Sequence, residues 1–109
     1  MDAILLIISS SLTEPNGLRA LKLAKQFKSQ GGKIGVYLVQ NAVLGVLVDE
    51  VRTQIDFSIN SGIAFFCLEE DLTMRGLKRA DLLSKIHISN YSDLIDLMME
   101  RYHKVIGVF

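Results

Sequence analysis

The chain has 109 residues, of which half are hydrophobic and 22% are charged, a composition typical of a folded domain rather than a disordered segment. Its twelve Lys and Arg residues balance its twelve Asp and Glu residues, and the basic residues form no stripe of the kind that binds nucleic acid or an anionic membrane. A net charge near zero opposes self-association only weakly. We therefore expect a single domain over residues 1–109 that forms a homo-oligomer.

The single cysteine, Cys67, cannot form an internal disulfide, and the sequence has no Cys/His spacing of the zinc type. The apolar run at residues 4–8 is too short for a membrane span and lacks the basic flank and cleavage site of a signal peptide. We interpret this run as a buried strand. The expectation is a cytoplasmic protein that requires no metal or organic cofactor.

Continuous apolar runs alternate with amphipathic stretches along the whole chain. In chain order the pattern predicts a strand over residues 3–8, a helix over 18–27, a strand over 33–39, a helix over about 42–59, a strand over 63–66, a helix over 68–74, an irregular stretch over 77–85, a strand over 86–88, a helix over 91–102 and a strand over 104–109. This alternation predicts an α/β fold, in which a parallel sheet carries helices on both faces.

The amphipathic stretches also predict which side chains are buried. In the helix over 42–59 the main apolar face consists of Leu44, Leu47, Val48, Val51 and Ile55, whereas Val43, Val46 and Phe57 fall outside it. Apolar residues outside the main face indicate either contact with a partner subunit or deeper burial in the monomer. In the last helix the expected buried face is Tyr91, Leu94, Ile95, Met98, Met99 and Tyr102, and the hydroxyls of Tyr37 and Tyr102 are expected at a surface.

Polar residues follow four of the predicted strands. They are Ser9, Ser10 and Ser11, then Gln40 and Asn41, then Cys67, and finally Ser89 and Asn90. Because the carboxyl ends of parallel strands meet at one edge of a sheet, where ligands gather in open α/β folds, we expect these groups to share that edge. The pattern places the Cys67 thiol on a strand-to-helix turn, where free helix amides favour a thiolate. The carboxylates of Glu69, Glu70 and Asp71 oppose that effect.

Two interpretations of Cys67 remain open: a small packed side chain, which is the usual role of a free cysteine, and a reactive thiol. Neither His87 nor His103 is placed to act as its base, which argues against a cysteine hydrolase. A dithiol redox motif is excluded because there is no second cysteine. The remaining chemistry needs one thiol only, either carrying sulfur as a persulfide or sensing oxidation.

The first strand-to-helix turn, residues 9–17, has neither a glycine-rich dinucleotide motif nor a phosphate-binding lysine. Its serines fit turn and capping roles, and anion binding there remains a weaker alternative. The pair Gln40 and Asn41 is interpreted either as a helix cap or as a contact that orients a substrate or partner.

Several segments, in their order and spacing, resemble the DsrE/DsrF-like family of small sulfur-relay proteins, which includes the TusD and DsrH types. They are IISS (7–10), LRALKLA (18–24), VYLVQNAV (36–43), CLEEDLTMRGL (67–77), SNYSDLIDL (89–97) and VIG (105–107). The resemblance covers nearly the whole chain. It implies a three-layer α/β/α domain with a five-stranded parallel sheet, assembled into dimers, trimers or hexamers.

For members with a cysteine after the third strand, the resemblance also implies a persulfide carrier that passes sulfur from a donor protein to an acceptor protein. The match of Cys67 to that position makes it the expected sulfur-carrying residue. We expect Ser9, Ser10, Gln40 and Asn41 to line the entrance to the thiol. The alternatives are a non-catalytic binding or assembly protein that retains the fold, and a binder of nucleotides or small anions.

Overall fold

The computed structural model describes residues 3–109. Five parallel strands form one sheet in the order β4-β3-β2-β1-β5. The strands are β1 (Ala3–Ile8), β2 (Lys33–Leu38), β3 (Ala64–Leu68), β4 (His87–Ser89) and β5 (Lys104–Val108). The predicted α/β fold with a five-stranded parallel sheet is confirmed.

Helical segments connect the strands. They are α1 (Pro15–Ser29), a 3-10 helix (Gln40–Leu47), α2 (Asp49–Asn60), α3 (Glu69–Met74), a short 3-10 turn (Arg79–Asp81) and α4 (Tyr91–Asp96), which continues as a π-helical turn (Leu97–Arg101). The single helix expected over 42–59 is therefore wrong, because the backbone of Val48 is extended and separates two helices. Glycine and β-branched residues, which disfavour an α-helix, are concentrated before this break.

The main core lies between the first face of the sheet and the helical layer formed by α1, the 3-10 helix and α2. Alternate strand residues supply one side of it: Ile4, Leu6 and Ile8 from β1, Ile34, Val36 and Leu38 from β2, and Phe65 and Cys67 from β3. The helical side includes Ala20, Leu21 and Ala24 of α1 together with Ala42, Val43 and Val46 of the 3-10 helix. The residues of β1, β2 and β3 on this face are buried, whereas Ile106 at the β5 edge is 40% exposed.

The second face carries a smaller core. Its buried members are Ala3, Leu5, Tyr37, Leu68, Leu97 and Tyr102. Within residues 3–109 the helical side chains of this cluster come from α4 and the turn after it. Five strands span roughly 19 Å and a helix covers about 10 Å, so this layer leaves part of the sheet beside β3 and β4 open.

The predicted buried face of the first half of helix 42–59 is wrong. Val43 and Val46 are fully buried, whereas Leu44 and Leu47 are 40% and 49% exposed. A 3-10 helix has three residues per turn, so residues 43 and 46 lie directly above one another on its buried face, and the extended backbone of Val48 separates this face from that of α2. Deeper burial within the monomer therefore explains these two valines, but Phe57 of α2 remains exposed.

The predicted buried face of the last helix is also wrong at four positions. Tyr91, Ile95, Met98 and Met99 are exposed, and Leu97 takes the buried position instead. The π-helical turn Leu97–Arg101 adds a residue to the local repeat and so changes the facing of Met98 and Met99, whereas Tyr91 and Ile95 lie before this turn, on the outer side of α4. In the part of the chain that the structure describes, no helix combines the length and the apolar character needed to cross a membrane.

Candidate functional site

The carboxyl ends of the strands meet at one edge of the sheet, as expected from their parallel direction. Ser9 follows β1 and its N–H donates to the Val108 carbonyl oxygen at 3.0 Å, while the Val39 N–H donates to the Ile8 carbonyl oxygen at 3.0 Å. These bonds hold the ends of β1, β2 and β5 side by side. Ser9 and Ser10 are half-buried in the turn that follows.

Cys67 lies inside β3 rather than on the turn after it, because β3 extends to Leu68 and α3 begins only at Glu69. In the sheet it is flanked by Leu38 of β2 and Ile88 of β4. Its side chain points into the main core and has no exposed surface. The expectation of a thiol reachable from water is therefore wrong for this conformation.

Burial also sets the acidity of this thiol. Loss of hydration disfavours the thiolate and raises the pKa of Cys67 to about 12, and the positive charge of Arg79 offsets only part of this effect. The thiol is therefore neutral at physiological pH. A neutral, enclosed thiol is neither a nucleophile nor a metal ligand.

Gln40 and Asn41 are exposed at the end of β2 and are held by α3. The Gln40 backbone has a φ of +50°, and its N–H donates to Oδ2 of the buried Asp71 at 2.6 Å. The Arg75 guanidinium lies 3.5 Å from Asp71 Oδ1 and donates to Asn41 Oδ1 at 3.3 Å. Asp71, expected to oppose a thiolate at Cys67, instead fixes the turn that begins the Gln40–Leu47 helix.

A second polar contact lies on the opposite face of the sheet, at the ends of β2 and β4. The Tyr37 hydroxyl is buried and hydrogen-bonded to the Ser89 hydroxyl, so its expected position at a surface is wrong. Burial raises the pKa of Tyr37 to about 12 and also raises the pKa of Tyr102. The Tyr37 ring stacks on Phe66 with the centroids 5.7 Å apart, and Phe66 lies 5.3 Å from His87.

A groove of about 510 Å³ runs along the open part of this second face. Phe66 and His87 form its floor, Asp96 lies on its α4 wall, and Lys33 and Tyr102 lie at its far end. Cys67 cannot contribute to it, because successive residues of a strand point to opposite faces of the sheet. The predicted entrance residues, Ser9, Ser10, Gln40 and Asn41, share the carboxyl edge but line none of the four cavities of about 330 to 510 Å³ described for residues 3–109.

Within that same range, no group of three His, Cys, Asp or Glu side chains is arranged to hold a metal ion. The most unusual polar groups are instead the Asp71 carboxylate and the Tyr37–Ser89 pair, and both join segments far apart in sequence. Sequence patterns did not reveal either one as a contact.

The two raised pKa values predict a loss of stability in alkali. Cys67 and Tyr37 ionise with pKa values of about 12 when folded, above their ordinary values of 9.0 and 10.0. Their contribution to stability is therefore complete below about pH 9 and is lost as the pH rises toward 12. We expect the urea midpoint of unfolding to fall above pH 9. Between pH 8 and 11 the raised pKa of Cys67 should account for a loss of roughly 2 kcal/mol in the free energy of unfolding.

The same titration of Cys67→Ala gives the control. This variant loses stability through its smaller side chain at every pH, but its midpoint should fall less steeply between pH 9 and 11 than that of the wild type. Parallel curves for the two proteins would contradict a raised pKa of the Cys67 thiol in the folded state.

Three solved structures have the same fold as this chain. The ychN protein from E. coli is 15% identical with a TM-score of 0.86, covering 98% of this chain and 99% of that chain. BT1422 from Bacteroides thetaiotaomicron is 18% identical with a TM-score of 0.81, covering 98% and 95%. MTH1491 from Methanobacterium thermoautotrophicum is 15% identical with a TM-score of 0.79, covering 96% of each chain. No curated protein matches the chain in sequence.

A family model supplies the relationship that these distant structures cannot. The model of the DsrH-like proteins matches residues 15–104, from the first residue of α1 to the first residue of β5. The match spans most of the chain and includes Cys67, Gln40 and Asn41. It confirms the resemblance found in the sequence segments. The chain belongs to the DsrH-like protein family.

Proposed function

We propose that this protein is a component of a sulfur relay, in which Cys67 carries sulfane sulfur as a persulfide between two protein partners. The observation that carries the proposal is the DsrH-like family match, which indicates a role related to sulfur relay. Cys67 is the single cysteine of the chain, so any sulfur carried on a thiol of this protein resides there.

The proposed step is an exchange between thiols. The Cys67 thiolate attacks the outer sulfur of a persulfide on the donor protein, a new S–S bond forms on Cys67, and the donor cysteine leaves as a thiolate. Attack by a thiolate of the acceptor on the outer sulfur of the Cys67 persulfide then passes the sulfur on. Each step breaks one S–S bond and forms another, so no external oxidant or reductant is consumed.

The closed structure cannot perform this exchange. A donor persulfide must come within bonding distance of the Cys67 sulfur, which has no exposed surface, and the attacking species must be a thiolate. The carrier function therefore requires a conformation in which part of the helical layer moves away from β3. Such an opening would also rehydrate the thiol and lower its pKa toward the ordinary value.

A second candidate function is favoured by the burial of Cys67. In this case the protein is a non-carrying subunit that retains the fold and supports assembly or docking of other relay proteins. A packed cysteine is then simply a small member of the core, in contact with the side chains of the helical layer. The two candidates differ in one measurable property, the acquisition of sulfur by Cys67.

Mass spectrometry of the intact protein after incubation with a low-molecular-weight persulfide separates the two candidates. The carrier function predicts a gain of one sulfur atom, removed by a reducing agent and absent from Cys67→Ser. Because Cys67 is buried, the reaction should be followed for hours and repeated at a denaturant concentration below the unfolding transition. Cys67 that never gains sulfur, although a neutral thiol reagent labels it in the native protein, would favour the non-carrying subunit.

We also propose that the protein forms a homo-oligomer through the outer surface of α4 and of the π-helical turn that continues it. This surface, called here the α4 surface, consists of Tyr91, Ile95, Met98 and Met99. These side chains recur at helical spacing and form one apolar patch. Ile95 and Met99 are 53% and 80% exposed, which is unusual for large apolar residues grouped on one helix. The balanced net charge of the chain does not oppose such an association.

A further inference from the structure

We propose that the 3-10 helix Gln40–Leu47 is a hinged cover over Cys67, held closed by Asp71 at its start and by Arg52 near its end. The purpose of this cover, access to a sulfur-carrying thiol, rests on the proposed function. The cover itself is a property of the fold and can be tested without any sulfur donor.

The position of the segment makes it a cover. It begins directly after β2, and the β2 residue Leu38 lies beside Cys67 in the sheet. Three of its side chains, Ala42, Val43 and Val46, have no exposed surface and belong to the same core cluster as Cys67. Moving this one segment outward would thus remove three side chains from the core that encloses Cys67, at the end of the β2 strand that lies beside it.

The segment is built to move more easily than its neighbours. A 3-10 helix has poorer hydrogen-bond geometry than an α-helix, and runs longer than three or four residues are uncommon, whereas this one has eight. The residues on either side of it, Val39 and Val48, have extended backbones and so separate it from β2 and α2. Its outer residues Leu44 and Leu47 are 40% and 49% exposed, so the outer side of the segment lies at the surface of the protein.

Two charged side chains from neighbouring elements hold the backbone of the segment. At its first residue, the Gln40 N–H donates to Asp71 Oδ2 at 2.6 Å while the Gln40 backbone is kept at a positive φ. Near its end, Arg52 Nη1 donates to the Val46 carbonyl oxygen at 2.9 Å and to the Asp81 carbonyl oxygen at 2.7 Å. Hydrogen bonds to charged groups are among the stronger ones, so removing either should favour opening.

The test is the rate at which a small neutral thiol reagent labels Cys67 in the folded protein. We expect Asp71→Ala and Arg52→Ala to raise this rate roughly 10- to 100-fold, the factor that corresponds to the loss of a hydrogen bond to a charged group. Asp96→Ala and Arg19→Ala are the matched controls, because both residues are exposed on other helices and should leave the rate unchanged.

Global destabilisation by a substitution would also accelerate labelling, so the wild-type protein supplies the decisive measurement. Opening of one segment exposes little surface, and the labelling rate should therefore change little at low denaturant concentration. Hydrogen exchange should give the amides of residues 41–48 the same free energy of opening as the one obtained from Cys67 labelling. The amides of β1 and β2 should stay protected.

Several results would overturn the cover. The first is a labelling rate that rises with denaturant as steeply as global unfolding does. The second is a labelling rate in Asp71→Ala and Arg52→Ala that is no higher than in the control variants. The third is hydrogen exchange in which the amides of residues 77–86, rather than those of 41–48, open with the same free energy as the Cys67 thiol. Failure of the proposed function gives a different result, because the thiol reagent would then label Cys67 at the rates predicted above while Cys67 still gains no sulfur from a persulfide.

Discussion

Cys67 of the folded protein should react with a thiol reagent at pH 8 about a thousandfold or more slowly than the same cysteine in the unfolded chain. A thiol whose pKa is about 12 is ionised in only about one molecule in 10⁴ at pH 8. A thiol with its ordinary pKa of 9.0 is ionised in about one molecule in ten at that pH. Exclusion of the reagent from the closed core slows the folded protein further, since the sulfur has no exposed surface.

The measurement is the absorbance change of a chromogenic disulfide reagent, with and without a denaturant that unfolds the protein. Cys67→Ser should give no signal under either condition and so establishes that the signal comes from this thiol. Labelling that is complete within seconds in native buffer would show that Cys67 is open to solvent, and the burial described above would then be wrong.

Charged residues on the α4 surface should dissociate the proposed homo-oligomer. In the double variant Ile95→Glu with Met99→Glu, association would bury two carboxylates without partners, which costs several kcal/mol and weakens the contact by about 100-fold or more. Light scattering of the eluting protein should therefore report the mass of a multimer for the wild type and 12.2 kDa for the double variant at the same concentration.

Leu23→Glu is the matched control for this experiment. Leu23 is a large apolar residue on α1, 46% exposed, and it lies on the other helical layer. It should keep the wild-type mass, whereas a loss of association in both proteins would point to a general effect of added charge. A wild-type protein that elutes as a monomer at micromolar concentration would contradict the proposed contact.

The sheet could be predicted from the sequence because each strand is a short apolar run bounded by polar or glycine residues. Helix phase was harder. The expected buried faces failed at Leu44 and Leu47, where three residues make a turn, and at Met98 and Met99, which lie in a π-helical turn. An apolar pattern analysed with 3.6 residues per turn cannot detect either change, because both come from local backbone geometry.

The environment of Cys67 was predicted wrongly because the expected end of β3 was two residues too early. The strand was expected to end at Phe66, which would leave the thiol on the turn, but it continues to Leu68. Inside a strand the alternation of side chains decides the face, and it directs Cys67 into the main core and Phe66 toward the groove. Strand boundaries are the least certain part of a prediction from sequence, and here the boundary decided the chemistry.

The contacts that shape the carboxyl edge join residues distant in sequence. Asp71 meets the Gln40 N–H across 31 positions, and Tyr37 meets Ser89 across 52. Neither pair has a local motif, so the sequence could place Gln40 and Ser89 at one edge of the sheet but could not show that Asp71 and Tyr37 contact them.

The sheet order gives the chain a particular folding problem. The first strand, β1, lies between β2 and β5 in the sheet, so Leu5 meets Val105 only after all of the intervening chain has been made. During synthesis on a ribosome the nascent chain would expose one side of β1 until its last partner arrives. Pairings between such remote segments slow folding and leave an open strand that can join another molecule. The yield of native protein should therefore depend on whether that open strand is kept from pairing with a neighbouring copy until β5 has been made.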